Sequence, residues 1–430
     1  MSWSETKIPV ADSKHFETLN GLWTGKKEPF VEAGVIRNTN FTSSGVIDFS
    51  NVAYLLVERK QLSKRRLEAG DIILERSGGG PKQPVGRVVF FDRKDGEFSF
   101  SNFTSAIRVK DKAAFDPRFV FYGLMELYQS GQTEDIQRRT TGIRNLDFTA
   151  YKERARFPKI PLLDQKKIAD ILSTVQRAIE AQERIIQTTT ELKKALMHKL
   201  FTEGLCNEPQ KQTEIGPVPE SWEVVELGTL FEKQPQNGIY KHKRDYGTGT
   251  QILRIDDFSN DGDVVTRAGN LVALAPSEIE IYGLDPGDIV INRVNSLSHL
   301  GKTALIGEIA DEMVFESNMM RFSVDESKVQ KEYVFKFLNS PLTKKQIIGT
   351  AKRAVAQSSI NQGDVKSIIV PKPSLEEQRE IVASLAATES KIALSTDKAV
   401  VLRDLFRTFL HELMTAKTRV HELSLSTPDA

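Results

Sequence analysis

Two long stretches, in which apolar residues recur at helical spacing, dominate the hydrophobic pattern of the chain. Apolar side chains follow alternating steps of three and four residues from Ile381 to Leu413, and the same steps run from Ile168 to Leu200. This spacing is typical of a helix that packs along one seam against another helix. Polar residues interrupt the seam in the middle of the first stretch. We therefore predict two long helices, with looser packing at the middle of the first one.

The rest of the pattern predicts strands and two short helices. Gly-Asp turns at 70–71 and 287–288 open short apolar runs that are typical of buried strands. The apolar runs at 87–91 and 302–306 are expected to form their partner strands. Two further runs predict short helices behind the sheet, FVFYGLMEL at 119–127 and YVFKFLNS at 333–340.

The chain contains one internal repeat. Residues 21–76 align without a gap on 238–293, with ten of 56 positions identical. Residues 157–203 align on 370–416 in the same way, with eleven of 47 positions identical. Two ungapped blocks in the same order indicate two copies of one unit. Each copy is predicted to be a globular part followed by one long helix.

Local signals mark where the long helices end and begin. Gly204, followed by prolines at 209, 217 and 219, is expected to end the first helix and to open a linker. Ser374 and Glu377 have the spacing of a capping box, which predicts the start of the second helix.

Composition excludes several classes of protein. The chain has 59 Lys and Arg against 58 Asp and Glu, so a globally basic coat is excluded but a local basic patch is not. Cys206 is the only cysteine, which excludes an internal disulfide framework and a cysteine-rich zinc site. No run approaches 18 apolar residues and the N-terminal residues lack an apolar segment. We therefore expect no membrane span, no signal peptide and a cytoplasmic location.

Positive charge is concentrated at equivalent places in the two copies. Residues 136–160 hold seven Lys and Arg against two acids, and residues 340–372 hold six against one. Lys and Arg neutralise phosphates, while Arg, Asn and Gln can also bind base edges. Aromatic residues also stand beside cations at matched positions, at 23 and 240. These patterns predict DNA contacts at Trp23, Lys26, Lys27, Arg37, Arg76, Arg138, Arg139, Arg144, Tyr240, Lys241, Lys243, Arg244, Arg254, Arg293, Lys352, Arg353 and Gln357.

Each of these signals also has a simpler interpretation. A basic run can be a solvated face, and an aromatic residue can belong to the core. Arg37 and Arg76 are matched by identical arginines at 254 and 293, although two domains that read different half-sites should differ where they read bases. We therefore expect these arginines to hold phosphates or to form salt bridges.

Catalytic chemistry is not predicted. Gly301-Lys302-Thr303 has the end of a phosphate-binding loop but lacks its first glycine, so a strand start is the preferred interpretation. Asp71 and Glu75 could form a nuclease carboxylate pair, but the second copy has Asn292 in place of Glu75. The glycine run at 77–80 is interpreted as a flexible loop, or as backbone that approaches DNA. His198 and His411 are expected to make helix-end contacts, and we predict neither catalytic nor metal-binding residues.

Taken together, these residues resemble a known family. The segments PKIPLLDQKKIADIL, ending in LMHKLFTEGL, and PKPSLEEQREIVASL, ending in FLHELMTAK, are similar to the specificity subunit of type I restriction-modification systems. The paired Gly-Asp-Ile turns and the VPESW segment at 218–222 belong to the same resemblance, which covers essentially the whole chain. Copy one lacks a Pro-Glu-Ser-Trp segment, and residues 1–20 align poorly.

The resemblance implies an α+β fold, in which two pseudo-repeated α/β target recognition domains are joined by two long antiparallel coiled-coil helices that hold them apart. It predicts a first recognition domain at 1–157, a long helix at 158–204, a linker at 205–221, a second recognition domain at 222–370, and a second long helix with a tail at 371–430.

The same resemblance implies a non-catalytic subunit that reads a bipartite target in double-stranded DNA, one half per recognition domain. Its expected partners are two methyltransferase subunits and restriction or translocase subunits, with no membrane. No cofactor is expected on this chain; S-adenosylmethionine, Mg and ATP are expected on the partners. The alternatives are a self-contained methyltransferase or nuclease fusion and a tandem-repeat DNA-binding repressor.

Overall fold

The chain folds into two compact units, of which the first comprises residues 1–183 and 396–430 and the second residues 184–395. A computed structural model describes residues 6–23, 25–80, 83–140, 143–264, 270–309, 311–353 and 357–418, with Arg139 and Thr140 described by their backbone alone. Each unit includes part of both long helices. The domain boundaries predicted from the repeat treat each helix as a separate segment, and they stay a prediction.

The first unit contains twelve strands in its described residues. They are β1 Lys7–Pro9, β2 Phe16–Asn20, β3 Phe30–Ile36, β4 Ala53–Glu58, β5 Asp71–Glu75, β6 Ser77–Gly79, β7 Val88–Phe91, β8 Phe98–Phe100, β9 Thr104–Val109, β10 Gln137–Thr140, β11 Ile143–Leu146 and β12 Arg156–Pro158. The helices that begin in this unit are α1 Arg59–Arg65, α2 Pro117–Gln129, α3 Phe148–Arg154 and α4 Leu162–Thr202, and α4 continues into the second unit.

The second unit contains fourteen strands in its described residues. They are β13 Gln210–Thr213, β14 Gly216–Pro219, β15 Glu223–Glu226, β16 Gln236–Asn237, β17 Tyr246–Leu253, β18 Leu271–Val272, β19 Ile289–Asn292, β20 Val294–Asn295, β21 Thr303–Leu305, β22 Met313–Phe315, β23 Met319–Phe322, β24 Lys352–Arg353, β25 Ser358–Ser359 and β26 Ile369–Lys372. Its helices are α5 Pro276–Tyr282, α6 Lys331–Leu338, α7 Pro341–Thr350, α8 Gln362–Lys366 and α9 Leu375–Met414, of which α9 ends in the first unit.

Sheet topology confirms the internal repeat. The first unit has an antiparallel sheet in the order β2-β9-β5-β7, and the second has its counterpart in the order β16-β23-β19-β21. The sheet β4-β3-β8 matches β18-β17-β22, and each contains one parallel pair, β3 with β8 and β17 with β22. The sheet β10-β11-β6 likewise matches β24-β25-β20, and the pair β1-β12 matches β15-β26.

The strands and short helices predicted from the apolar runs are confirmed. Strand β5 pairs with β7 and strand β19 pairs with β21, both antiparallel. Helices α2 and α6 lie at the predicted apolar runs, and each buries most of its apolar side chains in the core of its unit. Hydrophobic burial of this kind is the main stabilising contribution to each unit.

The two long helices pack together in opposite directions. Arg403 of α9 pairs with Glu183 of α4 in the first unit, and Glu389 of α9 pairs with Lys193 of α4 in the second. Ile168, Leu172 and Leu413 of the predicted seam are buried. The seam positions at the middle of α4 are only half-buried, as the polar interruption predicts; they are Gln182, Ile186, Thr189, Lys193 and Leu196. In the described part of the chain, none of the helices is both long and apolar enough to cross a membrane.

The segment predicted as a linker contains regular structure. Strands β13 and β14 form an antiparallel hairpin, whose turn depends on Gly216 at a positive φ of 109°. The predicted capping box is only half formed. Ser374 Oγ accepts from the Glu377 backbone N–H at 3.2 Å, but the Glu377 carboxylate instead accepts from the Leu205 backbone N–H and from Trp222 Nε1.

Candidate nucleic-acid interface

In the first unit, the chain leaves the central strand β5 at Arg76 and joins a small sheet. The backbone N–H groups of Arg76 and Ser77 both donate to the Phe103 carbonyl oxygen, at 2.9 and 3.1 Å. Strand β6 then pairs with β11, with Arg144 opposite Gly79 and Asn145 opposite Ser77. Strand β11 in turn pairs with β10. The glycine run and the first basic segment are therefore brought together in one sheet.

The glycine run is a strand over Ser77–Gly79, so its interpretation as a flexible loop is wrong there. Gly78 has a φ of 109°, and a Cβ at this position would lie 2.6 Å from Asn38 Nδ2. The Asn38 amide donates to the Ser77 carbonyl oxygen at 3.2 Å. Glycine is required here because the backbone conformation and the close approach of Asn38 both exclude a side chain.

Arg76 is held by neutral groups. Its Nη1 donates to Asn20 Oδ1 at 3.0 Å and to Ser105 Oγ at 3.2 Å, and its guanidinium carbon lies 4.6 Å from the centre of the Phe148 ring. Burial lowers the pKa of the guanidinium. No acidic side chain among the described residues forms an ion pair with Arg76, so its positive charge is not neutralised within this part of the unit.

The other predicted residues of this sheet differ in their surroundings. Arg138 on β10 is 80% exposed and pairs with Asp147 at 3.0 Å. Asp147 also caps α3 by accepting from the backbone N–H groups of Thr149 and Ala150. An exposed pair of this kind contributes little to stability, so Arg138 remains available to a ligand. Arg144 lies on β11 opposite Arg139 on β10, and the side chain of Arg139 is outside the described residues.

The second unit repeats this arrangement with different side chains. The backbone N–H groups of Arg293 and Val294 donate to the Asn318 carbonyl oxygen, and Arg293 Nη1 donates to the Ser317 carbonyl oxygen at 3.1 Å. Strand β20 then pairs with β25, and β25 pairs with β24. Lys352 and Arg353 on β24 are exposed, and so is Gln357 just before β25. The second basic segment therefore lies beside Arg293 as the first lies beside Arg76.

The matched aromatic residues lie near the turns whose carbonyl groups, at Phe103 and Asn318, accept from the backbones of Arg76 and Arg293. The Leu22 N–H donates to the Phe100 carbonyl oxygen, and the Ile239 N–H donates to that of Phe315. Trp23 and Tyr240 follow directly and are 67% and 72% exposed. The structure thus rules out the interpretation that these rings belong to the core. In each unit, one tight turn separates an exposed aromatic ring from the arginine and its basic sheet.

Some predicted residues have partners within their own unit. Lys241 Nζ lies 2.8 Å from Glu278, and Arg254 Nε lies 3.6 Å from Glu316. Arg37, the counterpart of Arg254, makes no ion pair with the described residues. The remaining cations of the aromatic segments, Lys26, Lys27, Lys243 and Arg244, are exposed. Lys241 and Arg254 therefore each have a carboxylate partner in their own unit, whereas Lys26, Lys27 and Lys243 are open to solvent and the exposed Arg244 lies 3.7 Å from Asp245.

The structure explains the motifs that imitate catalytic sites. Lys302 Nζ donates to the carbonyl oxygens of Ile255 and Phe258, at 2.6 and 2.8 Å, and lies 4.2 Å from the centre of the Phe258 ring. Its counterpart Arg87 binds the carbonyl oxygen of Asn38 at 3.2 Å in the same way. The lysine thus caps a turn of its own fold and is not free to hold a phosphate.

The carboxylates in and after the first Gly-Asp turn are also bound by arginines of their own unit. Asp71 is buried and accepts from Arg108, and Glu75 is buried and accepts from Arg87 Nε and Nη2, both at 2.8 Å. His411 Nδ1 lies 2.8 Å from Glu126 Oε1, a helix-end contact of the predicted kind. Within the described residues, no group of three His, Cys, Asp or Glu side chains is arranged to hold a metal ion.

The sequence analysis missed one strongly basic element. Helix α1 and the residue after it carry five Lys or Arg within the eight residues 59–66. Only Leu62 of this helix is buried, while Arg59, Lys60 and Lys64 are exposed. The signal was present in the sequence as a dense basic run. It was overlooked because the second copy has no matching run.

Comparisons with known proteins agree with this arrangement. The profile of the Type I restriction modification DNA specificity domain matches the chain twice, over residues 10–190 and 219–403. The MjaVIII specificity subunit of Methanocaldococcus jannaschii is 28% identical over 322 residues, which are 72% of each chain. The EcoKI specificity subunit of Escherichia coli K12 is 24% identical over 367 residues, 82% of this chain and 74% of that one. The putative MjaX specificity subunit of M. jannaschii is 31% identical over 212 residues, about half of each chain.

A solved structure shows the same fold over nearly the whole chain. The type I restriction-modification S subunit from M. genitalium superimposes with a TM-score of 0.56 at 16% identity, covering 96% of this chain and 99% of that one. At this identity the likeness supports the fold alone. Since the two profile matches cover well over half of the chain, it belongs to the type I restriction-modification DNA specificity family, as a specificity subunit with two recognition domains.

Proposed function

We propose that this chain reads a bipartite sequence in double-stranded DNA and gives a type I restriction-modification complex its target. Each recognition domain contacts one half of the target. The chain catalyses no step itself and acts through the subunits that it holds.

The repeated surface around the two small basic sheets carries this proposal. In each unit, a tight turn separates an exposed aromatic ring from an arginine that leads into a three-stranded sheet, with Arg76 beside β6, β11 and β10, and Arg293 beside β20, β25 and β24. The major groove of DNA admits a two-stranded β-ribbon, and the pairs β10-β11 and β24-β25 are ribbons of this kind. The same frame with different side chains suits two domains that read different half-sites.

The charged side chains support a division between residues that hold DNA phosphates and residues that read bases. Arg76 and Arg293 are identical in the two copies and are bound only by neutral groups among the described residues. They suit phosphate contacts, which position a protein on the duplex without reading its sequence. Side chains that differ between the two ribbons, such as the exposed Gln357 just before β25, suit contacts to base edges.

The partners follow from family membership. Two methyltransferase subunits and restriction or translocase subunits are proposed to assemble on this chain, and S-adenosylmethionine, Mg and ATP are proposed to bind those subunits. Asp71, Glu75 and Lys302, which imitate catalytic motifs, are all hydrogen-bonded within their own unit. Their structural contacts support a non-catalytic role for the chain.

Co-expression tests the proposal. The chain is produced together with a methyltransferase subunit of a type I restriction-modification system, and methylated sites are mapped across the host genome. We expect a two-part motif with an unread spacer, and no methylation by either protein alone. Methylation or cleavage of DNA by the purified chain would contradict the proposal.

A further inference from the structure

The two units carry opposite charge at one pair of equivalent helices. Helix α1 and helix α5 occupy matching positions in the ungapped repeat, with Arg59 matching Pro276. Helix α1 reads RKQLSKR and contains four cations and no acid. Helix α5 reads PSEIEIY and contains two glutamates and no cation. If both units held phosphates with the same residues, one helix would not need to be basic and its counterpart acidic.

The fold leaves three of the four cations of α1 in solvent. Leu62 anchors the helix in a small cluster with Leu22, Ala33, Val35 and Val57. Arg59, Lys60 and Lys64 are exposed, and they form no ion pair with the described residues. In the second unit, by contrast, Glu278 of α5 neutralises Lys241 at 2.8 Å.

Two contacts extend this charged surface. The Arg59 N–H donates to the Pro29 carbonyl oxygen at 2.9 Å, which joins the start of α1 to the segment that carries the exposed Lys26 and Lys27. Residues 25–32 and 58–66 together contain seven cations against three acids, of which Glu58 is buried. The surface therefore has a net positive charge.

The surface is continuous with the candidate nucleic-acid interface. Arg65 Nε donates to the Asn20 carbonyl oxygen at 3.2 Å, and Arg76 Nη1 donates to Asn20 Oδ1 at 3.0 Å. Asn20 thus joins the end of the basic helix to the arginine that leads into the basic sheet. A duplex that contacts the sheet has the cations of α1 beside it.

From these observations we propose that α1 is a second DNA-backbone contact that only the first recognition domain possesses. It lies next to Lys26 and Lys27, whose counterparts Lys243 and Arg244 are also exposed in the second domain. The inference rests on the proposed function. The complex therefore holds its two half-sites unequally, with additional phosphates neutralised beside the half read by the first domain. Backbone contacts carry no base information, so this surface strengthens binding without changing the sequence that is read.

The test replaces the three exposed cations of α1 in the full chain by Arg59→Gln, Lys60→Gln and Lys64→Gln. A matched control, Lys94→Gln, Lys112→Gln and Lys166→Gln, removes the same charge from exposed lysines elsewhere in the first unit. DNA binding by the full chain, alone and with the methyltransferase, is measured over a range of salt concentrations. The α1 variant should lower the log–log salt slope by about 2.7, since each phosphate contact contributes about 0.9. The control should retain the wild-type slope.

The outcomes separate this inference from the proposed function. With the wild type binding DNA, an α1 variant whose slope equals that of the wild type overturns the inference but not the function. If the slope is unchanged but less methyltransferase is recovered with the α1 variant, the helix contacts a protein partner, and the inference is also overturned. A changed methylated motif would mean that α1 reads bases, against the inference. If the wild-type chain and complex fail to bind DNA, the proposed function itself fails.

Discussion

Arg108 donates two hydrogen bonds to the buried carboxylate of Asp71, from Nε to Oδ1 at 2.7 Å and from Nη2 to Oδ2 at 2.8 Å. The same carboxylate accepts from the Glu68 backbone N–H at 2.8 Å, which closes the Gly-Asp turn. In the second unit, Asp288 pairs with Arg321 at 3.3 Å. The aspartate of each copy therefore fixes the start of the central strand.

This pairing predicts a structural role for Asp71. The Asp71→Ala variant removes two buried hydrogen bonds to a charged group but leaves Arg108 with the more exposed carboxylates of Glu68 and Glu17. The free energy of unfolding should fall by about 2–3 kcal/mol. Asp92→Ala, which removes an exposed partner of Arg118, should cost less than about 1 kcal/mol. Urea denaturation of both variants measures the difference. Equal stability of the two variants would show that Asp71 does not hold the fold.

A second prediction concerns how the long helices join the globular part of the second unit. Glu389 of α9 pairs with Lys193 of α4 and with Lys336 of α6, and Lys193 also pairs with Asp261. Glu389→Gln leaves these partly buried lysines with one carboxylate fewer, and we expect the free energy of unfolding to fall by about 2 kcal/mol. Glu380→Gln, at an exposed position of the same helix, is the matched control. A loss no larger than that of the control would contradict the assignment.

In the equivalent junction of the first unit, Gln176 contacts the globular part through neutral groups, although its amide also donates to Glu180 on the same helix at 3.4 Å. The Tyr122 hydroxyl donates to Gln176 Oε1 at 2.9 Å, and the Gln176 amide donates to the Ser44 carbonyl oxygen at 3.1 Å. Salt screens charged pairs more than neutral hydrogen bonds. Raising the salt concentration should therefore reduce the stability difference between Glu389→Gln and the wild type, but not that between Gln176→Ala and the wild type.

A third prediction concerns the basic ribbons. Charge reversal at Arg138 and Arg139, or at Lys352 and Arg353, should weaken binding to all DNA sequences alike. Each lost phosphate contact should lower the log–log salt slope by about 0.9. Binding is measured against the target and against unrelated duplexes. A loss confined to one base-pair variant of the target, with the slope unchanged, would identify these residues as base readers.

Much of the fold could be predicted because the repeat and the apolar spacing are local signals. The strands after the Gly-Asp turns and the helices α2, α4, α6 and α9 each follow from a continuous run of residues. The hairpin at β13-β14 and the second role of Glu377 could not be predicted in this way. The hairpin depends on a turn at Gly216. Glu377 accepts hydrogen bonds from Trp222 and Leu205, which are distant in sequence.

The candidate site was predicted only in part, because its residues meet through strand pairing. Sequence identified Arg76, the glycine run and the basic segment separately, but their union in one sheet depends on the pairing of β6 with β11. Lys241 was predicted as a DNA contact from charge alone and proves to pair with Glu278. Arg254, which was expected to hold a phosphate or to form a salt bridge, lies 3.6 Å from Glu316. Helix α1 was not predicted because the repeat identifies only features that both copies share, and the charge of α1 is specific to one copy.

The most direct test of the central claim is an exchange of one recognition domain. Residues 22–150 are replaced by the matching domain of a relative with a different target, and the methylated motif of the hybrid is mapped genome-wide. Because each unit repeats the same frame with its own side chains, we expect one half of the motif to change while the other half and its spacing persist. A hybrid that changes both halves together, or neither half while remaining active, would contradict the claim that each domain reads its own half-site.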